Sequence, residues 1–213
     1  MKVEMIAVGN EVVYGHVVNT NASYIARQIQ LLGMTPQYMS AICDEVEAIK
    51  AATHLAIKRA DVIIFTGGLG PTPDDLTKEA VCEALGLETN IIPEELERLK
   101  AYFRSRHRTM TSNNEKLAAF PKEAIILPNS CGTAPGCLIE SNGKKIILLP
   151  GPPNEMKSMF EMSVMPYLKK WAKSPGKHLD IKCFGIGESE LAYLIEPFLG
   201  EKDQVNVATY INE

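Results

Sequence analysis

Short apolar runs alternate along this chain with longer stretches in which apolar side chains return every three or four positions. "VEMIAV" at 3–8 reads as a buried strand that closes at Gly9. At 20–32, Tyr24, Ile25, Ile29 and Leu32 have helical spacing, with Gly33 as the stop. A weaker strand follows at 35–42, and Val46, Ile49, Ala52 and Ile57 mark a helix over 44–59. "DVIIFT" at 61–66 is short, β-branched and apolar on both faces, as strands in the middle of parallel sheets are.

Strand, helix, strand, helix, strand with short connections predicts an open α/β sheet. Two further helices are expected at about 76–86 and 93–107, then strands at 124–127, 136–141 and 145–150. "SNGK" supplies a hairpin turn between the last two strands, and the prolines of "PPNEMKSMFEM" open another helix. The composition shifts near 172–177, "AKSPGK". Beyond it lie a strand-like "HLDIKCFGI", a helix-like "ESELAYLIEPFL" and a last apolar piece, "VNVATYI". The expected organisation is one domain over 1–172 and the start of a small α+β domain over 175–213, shortened at its end.

Composition narrows the functional classes. A net charge of −4 argues against a nucleic-acid binder. The five cysteines (Cys43, Cys82, Cys131, Cys137 and Cys183) include no C-x-x-C pair, which points to reduced thiols in the cytoplasm rather than a disulfide framework or zinc ribbon. The N-terminus lacks a signal-peptide core, and no apolar stretch reaches membrane-spanning length. Four dispersed histidines offer no histidine metal site.

The chemistry concentrates in "FTGGLGPTPDDLTKEA" at 65–80, at the carboxyl end of the most buried strand. Ligands of parallel sheets bind at such ends. Gly67, Gly68 and Gly70 permit positive φ and a close approach of backbone N–H groups to phosphate oxygens. The stretch is neither a Walker loop nor a dinucleotide fingerprint, and a plain tight turn with a helix-capping Asp would also use these residue types. A cap needs one carboxylate, however. Two adjacent ones, Asp74 and Asp75, favour a divalent cation with oxygen ligands beside the phosphates.

"TGGLGPTPDDLTKE", the Gly9–Gly33 segment ending "IARQIQLLG", "NSCGTAPG" and "LLPGPPNEM" together resemble the CinA family, in matching order over nearly the whole chain. "FGIGESEL" resembles the start of that family's small linker domain, while the family's C-terminal amidase domain has no counterpart in these residues. The resemblance implies a molybdopterin-binding-like fold: three layers, α/β/α, around a mostly parallel sheet. It also implies a metal-dependent pyrophosphatase converting ADP-ribose to AMP and ribose 5-phosphate. The expected cofactor is Co²⁺ or Mg²⁺, with K⁺ as a further candidate. The expected partners are a small nucleotide and further copies of the chain, in a homodimer or homotrimer, with neither nucleic acid nor membrane.

On that reading Asp75, Asp74 and Asp44 are the catalytic candidates, with Asp75 and Asp74 as metal ligands. Asp74 could instead cap the following helix, and Asp44 could cap the helix at 44–59 with Glu47 as partner. Glu11 reaches the same mouth or is simply a solvated acid. Asn19 and Asn21 contact substrate or cap the next helix, and Lys78 neutralises phosphate or is an exposed lysine. Gly132 and Thr133 form a second small-residue loop, and Gly151 with Glu155 a third; three loops at three strand ends would build one pocket. Arg108 and Asn114 are candidates for phosphate contact by resemblance alone, although Leu117 stands where the family often carries Gln. The competing functions are a molybdopterin-binding module, hydrolysis of FAD or another dinucleotide, and a dimerising structural role. Against the module stands Asp74, at a position where molybdopterin-handling relatives tend to carry Arg.

Overall fold

In a computed structural model of the chain, which describes residues 1–172, 179, 181–198, 207 and 209, the first apolar run forms β1 (Lys2–Val8). Its side chains alternate between two cores. Ile6 and Val8 join one, Val3 and Met5 the other. A one-turn helix, α1 (Asn10–Val13), follows directly, then α2 (Thr20–Leu31), β2 (Thr35–Ile42), α3 (Val46–Arg59) and β3 (Val62–Thr66). Next come α4 (Thr77–Ala84), β4 (Thr89–Ile91), α5 (Pro93–Ser105), a 3₁₀ segment (Ser112–Ala118) and β5 (Ala119–Pro121). The strands β6 (Ala124–Leu127), β7 (Gly136–Ser141) and β8 (Lys144–Leu149) precede a long terminal helical run.

Six strands make one sheet in the order β2-β1-β3-β8-β7-β6. The first four are parallel and the β8-β7-β6 edge is antiparallel. On one face α3, α4 and α5 bury Ile49, Ala56, Val81 and Leu99 against Ile63, Phe65, Ile146 and Leu148. On the other, α2 buries Ile25 and Ile29 against Val62, Ile64 and Ile147. The three-layer α/β/α expectation therefore holds. Strand β2 reads weakly because it is a sheet edge, exposed along much of its length, and that position tolerates Pro36.

The terminal run begins as α6 (Pro153–Met159), widens into a π-helical turn at Phe160–Val164 and continues as α7 (Met165–Trp171). Pro166 explains the widening, because it has no N–H to donate to the preceding turn. Neither α1, the β4-β5 ribbon nor the 3₁₀ segment is predicted from the sequence, because each is shorter than the window over which periodicity can be read.

The chain divides into two compact units, 1–177 and 178–213. In the second, α8 (Glu188–Ile195) and a 3₁₀ turn at Glu196–Phe198 occupy the helix-like stretch. The strand expected for "HLDIKCFGI" does not form among its described residues. Most of "VNVATYI" lies outside the described residues.

A carboxylate is buried in this core. Glu4 is 1% exposed and shares the β1 face of Ile6 and Val8. Arg59, at the end of α3, donates to it twice, at 2.9 and 2.6 Å, and stacks on Tyr38, Glu4's neighbour across the strand pair. Removing one partner leaves a buried charge alone. Arg59→Met is expected to lower the midpoint of urea denaturation, less than for a fully buried pair because the Arg59 side chain is 31% exposed. A Glu4→Leu/Arg59→Met double variant should recover most of that loss; a simple sum of two losses would show that the pair is not coupled.

Candidate functional site

Strands β2, β1, β3 and β8 end level with one another: Val8 lies beside Ile42, Ala7 beside Thr66, and Thr66 beside Leu149. The chain places β2 on one side of β1 and β3 on the other, so a crevice opens at these carboxyl ends. Gly67, with φ of 101°, donates its N–H to the Leu149 carbonyl at 3.0 Å. A Cβ on Gly67 would fall on the Val8 carbonyl oxygen, and one on Gly151 would lie 3.4 Å from the Gly67 Cα. The three strand ends thus meet backbone to backbone.

Around this junction the glycines do more packing than the phosphate cradle requires. A Cβ on Gly68 would strike the Thr77 hydroxyl, one on Gly70 the Asp75 carboxylate, and one on Gly132 the Glu155 carboxylate. Gly67 is engaged by Leu149, so an anion at this loop has only the amides of Gly68, Leu69 and Gly70 to approach. The Gly132 and Cys131 amides are also taken, by the buried Asn129 Oδ1 at 2.8 and 3.0 Å. Asn129 in turn donates to Glu155 at 2.7 Å. Gly132, Thr133 and Glu155 therefore form a loop locked by Asn129, the Asx turn that "NSCG" could have announced.

The acids lie on the mouth. Thr72 donates its N–H at 2.9 Å, and its hydroxyl, to the same oxygen of Asp75. Asp74 is exposed, and hydrogen bonding at Thr72 and from its own backbone, then the charge of Lys116, hold it below the usual carboxylate range. Neither caps α4, whose N-cap is Leu76 with no side-chain bond. The capping alternative is likewise overturned for Asp44. Glu45, not Asp44, is the N-cap of α3, and Asp44 instead accepts the Asn10 N–H that opens α1, at 2.8 Å. Burial pushes the Asp44 carboxyl up against that hydrogen bond, and the charges of Glu11, Asp74 and Asp75 push it further. Asp44, Glu11, Asp74 and Asp75 share one field.

Asn19 is the N-cap of α2, accepting from the Ala22 N–H at 3.0 Å. Buried Asn21 donates to the Gly151 carbonyl at 2.8 Å and so ties α2 to the junction, while its side-chain oxygen has no partner. Three candidates stand elsewhere. Lys78 is not exposed: it is 4% accessible, and its ammonium donates to the Lys116 carbonyl at 2.8 Å over the Phe120 ring. Asn114 is buried and turns its amide to Thr111. Arg108 is exposed after α5, in a cleft with Phe103, Arg104 and Met110. Lys116 and Asn113, which the sequence reading did not select, reach the acid turn instead, at Thr72 and Pro71.

A model of the family described as "Probable molybdopterin binding domain" matches residues 4–170. Competence-damage inducible proteins of Clostridium novyi and Acetivibrio thermocellus are 46% and 43% identical to the whole chain. The crystal structure of CinA from Thermoplasma acidophilum, 31% identical, superposes over 79% of this chain and 99% of its own with a TM-score of 0.74. The chain belongs to the CinA family. It spans about half the length of the curated CinA relatives it matches, 51% and 52% in the two cases. MoaB from Thermus thermophilus shares the fold at 21% identity and a TM-score of 0.53.

Among the described residues no group of three or more His, Cys, Asp or Glu side chains converges to hold a metal by itself. The donor set suits a different mode of binding, in which one or two carboxylates hold a hard cation whose other positions go to water and substrate phosphates. Asp75 and Asp44 each keep a carboxylate oxygen outside the bonds given above. Because the folded state favours the protonated Asp44 carboxyl, this group's contribution to stability is complete below the unfolded pKa and is lost as pH rises through the raised folded value. Asp44→Asn keeps an acceptor for Asn10 and removes the titration. Its stability relative to the wild type is expected to improve between pH 4 and pH 7 in paired urea melts; a difference independent of pH would contradict the crowding of charges.

Proposed function

We propose that this chain is a metal-dependent nucleotide pyrophosphatase acting on ADP-ribose. The observation that carries the reading is the gathering of Asp44, Glu11, Asp74 and Asp75 at the strand ends, where burial first, and then the charges of the other three acids, raise the Asp44 carboxyl. A diphosphate cannot enter such a field without a counter-cation. ADP-ribose is the substrate that the CinA resemblance implies. Asp75 and Asp74 would hold Mg²⁺ or Co²⁺, with Asp44 beside them, and K⁺ is a further candidate. Such a cation, when bound, would offset the charge on the phosphate oxygens.

The chain's own groups do the rest. The Gly68–Gly70 amides face the phosphates. Asp44, through the oxygen not engaged by Asn10, orients a water and accepts its proton. The water oxygen bonds to one phosphorus as the bridging oxygen leaves with the other phosphate, giving AMP and ribose 5-phosphate. Cleavage of FAD or another dinucleotide would use the same parts. The scattered free thiols suit the cytoplasm, and assembly into a homodimer or homotrimer belongs to the same proposal.

A second reading, a molybdopterin-binding module, draws on the family description and on the MoaB fold. The expected result is AMP release from ADP-ribose that needs Co²⁺ or Mg²⁺, stops with EDTA and falls at least about 100-fold in Asp75→Asn. No release with any divalent metal from folded protein would transfer the site to the pterin reading.

A further inference from the structure

The acid turn is held from outside by a segment some forty residues further along the chain, centred on Lys116. The Lys116 ammonium donates to the Thr72 carbonyl at 3.1 Å and to the Asp75 carbonyl. Thr72 and Asp75 are the two ends of the turn, and they already bond each other: the Asp75 N–H donates to the Thr72 carbonyl at 3.2 Å, and Thr72 donates to the Asp75 side chain. The Asn113 amide reaches the Pro71 carbonyl at 3.2 Å, one residue ahead. The carbonyls of Pro71, Thr72 and Asp75 therefore all accept from the 3₁₀ segment.

Behind Lys116 stands Lys78. Burying an ammonium without a carboxylate partner is costly, yet Lys78 is almost fully buried in α4 and, among the described residues, forms no ion pair. Burial accordingly lowers its pKa. What it does is fixed by its contacts: the Phe120 ring 4.2 Å below, and the Lys116 carbonyl 2.8 Å ahead. Two lysines thus stand in series, the first fixing the backbone of the second, and the second fixing the turn.

We propose that Lys116 is the positioning residue of the acid turn, holding Thr72 and Asp75 so that the Asp74 and Asp75 carboxylates are presented to a divalent cation, with Lys78 as its anchor. The proposal rests on the reading of that turn as a cation site. Its sign is what separates it from simple electrostatics. A lysine beside two carboxylates repels an incoming cation, so by charge alone its removal should tighten cation binding. If Lys116 acts by shaping the turn, its removal weakens binding instead.

The test uses the full chain with Lys116→Met, Lys116→Arg and Lys78→Met. Amide exchange of Thr72 and Asp75, followed by NMR, is expected to rise at least about tenfold in Lys116→Met, while amides of β1 and β3 keep their protection. Co²⁺ alone, titrated calorimetrically, should bind about tenfold more weakly to Lys116→Met, with Lys116→Arg restoring much of the loss and Lys78→Met showing a smaller loss in the same direction. Unchanged exchange at Thr72 and Asp75 would overturn the proposal. So would faster exchange accompanied by equal or tighter Co²⁺ binding. If the wild-type chain binds no divalent cation, the cation-site reading fails by itself, and the exchange data alone decide whether Lys116 holds the turn.

Discussion

Everything at this site depends on the close approach of three strand ends. The Gly67 N–H bonds to Leu149 while its Cα faces the Val8 carbonyl and Gly151. No side chain fits between these backbones, and the positive φ of Gly67 would strain any residue but glycine. The contact brings β1, β3 and β8 level, and with them the loops that carry Glu11, Asp75 and Glu155.

The glycines also serve the carboxylates. Gly70 and Gly132 each lie where an acid side chain folds back on its own loop, Asp75 on the first and Glu155 on the second. A glycine at such a place gives a carboxylate room and leaves it near backbone dipoles. The glycines thus give both acids room close to their own backbones.

The alternation of short apolar runs and helical periods made the parallel core legible, because each of those elements buries at least one face over several residues. Strand β3 was the plainest: all five residues are buried, and all are β-branched or aromatic. The acids and glycines of 67–75 were legible as chemistry because their residue types are unusual together. What could not be read was which side chains answer them. Lys78 and Lys116 look alike in sequence, yet one is buried against Phe120 and the other bonds the acid turn, a difference set by contacts about forty residues apart. The alternative that Asp44 caps its own helix fell for the same reason. Its partner, the Asn10 N–H, belongs to a one-turn helix too short to show a period.

The difference between the two alternatives bears on mechanism. A carboxylate that capped α3 would be stabilised as an anion by the helix it began. Asp44 instead accepts one N–H from a four-residue helix and stands among three other acids. One hydrogen bond does not outweigh its burial, so its carboxyl is raised, whereas Asp74 is lowered by hydrogen bonding at Thr72 and from its own backbone, and then by the charge of Lys116. Two carboxyls in one mouth are thus driven in opposite directions by their surroundings. In the proposed hydrolase such a split would separate tasks: the lowered acid would stay charged beside a cation, while the raised one would take a proton from water. The rise of the Asp44 carboxyl does not follow from its own sequence neighbours. It follows from the place where β1 and β3 end.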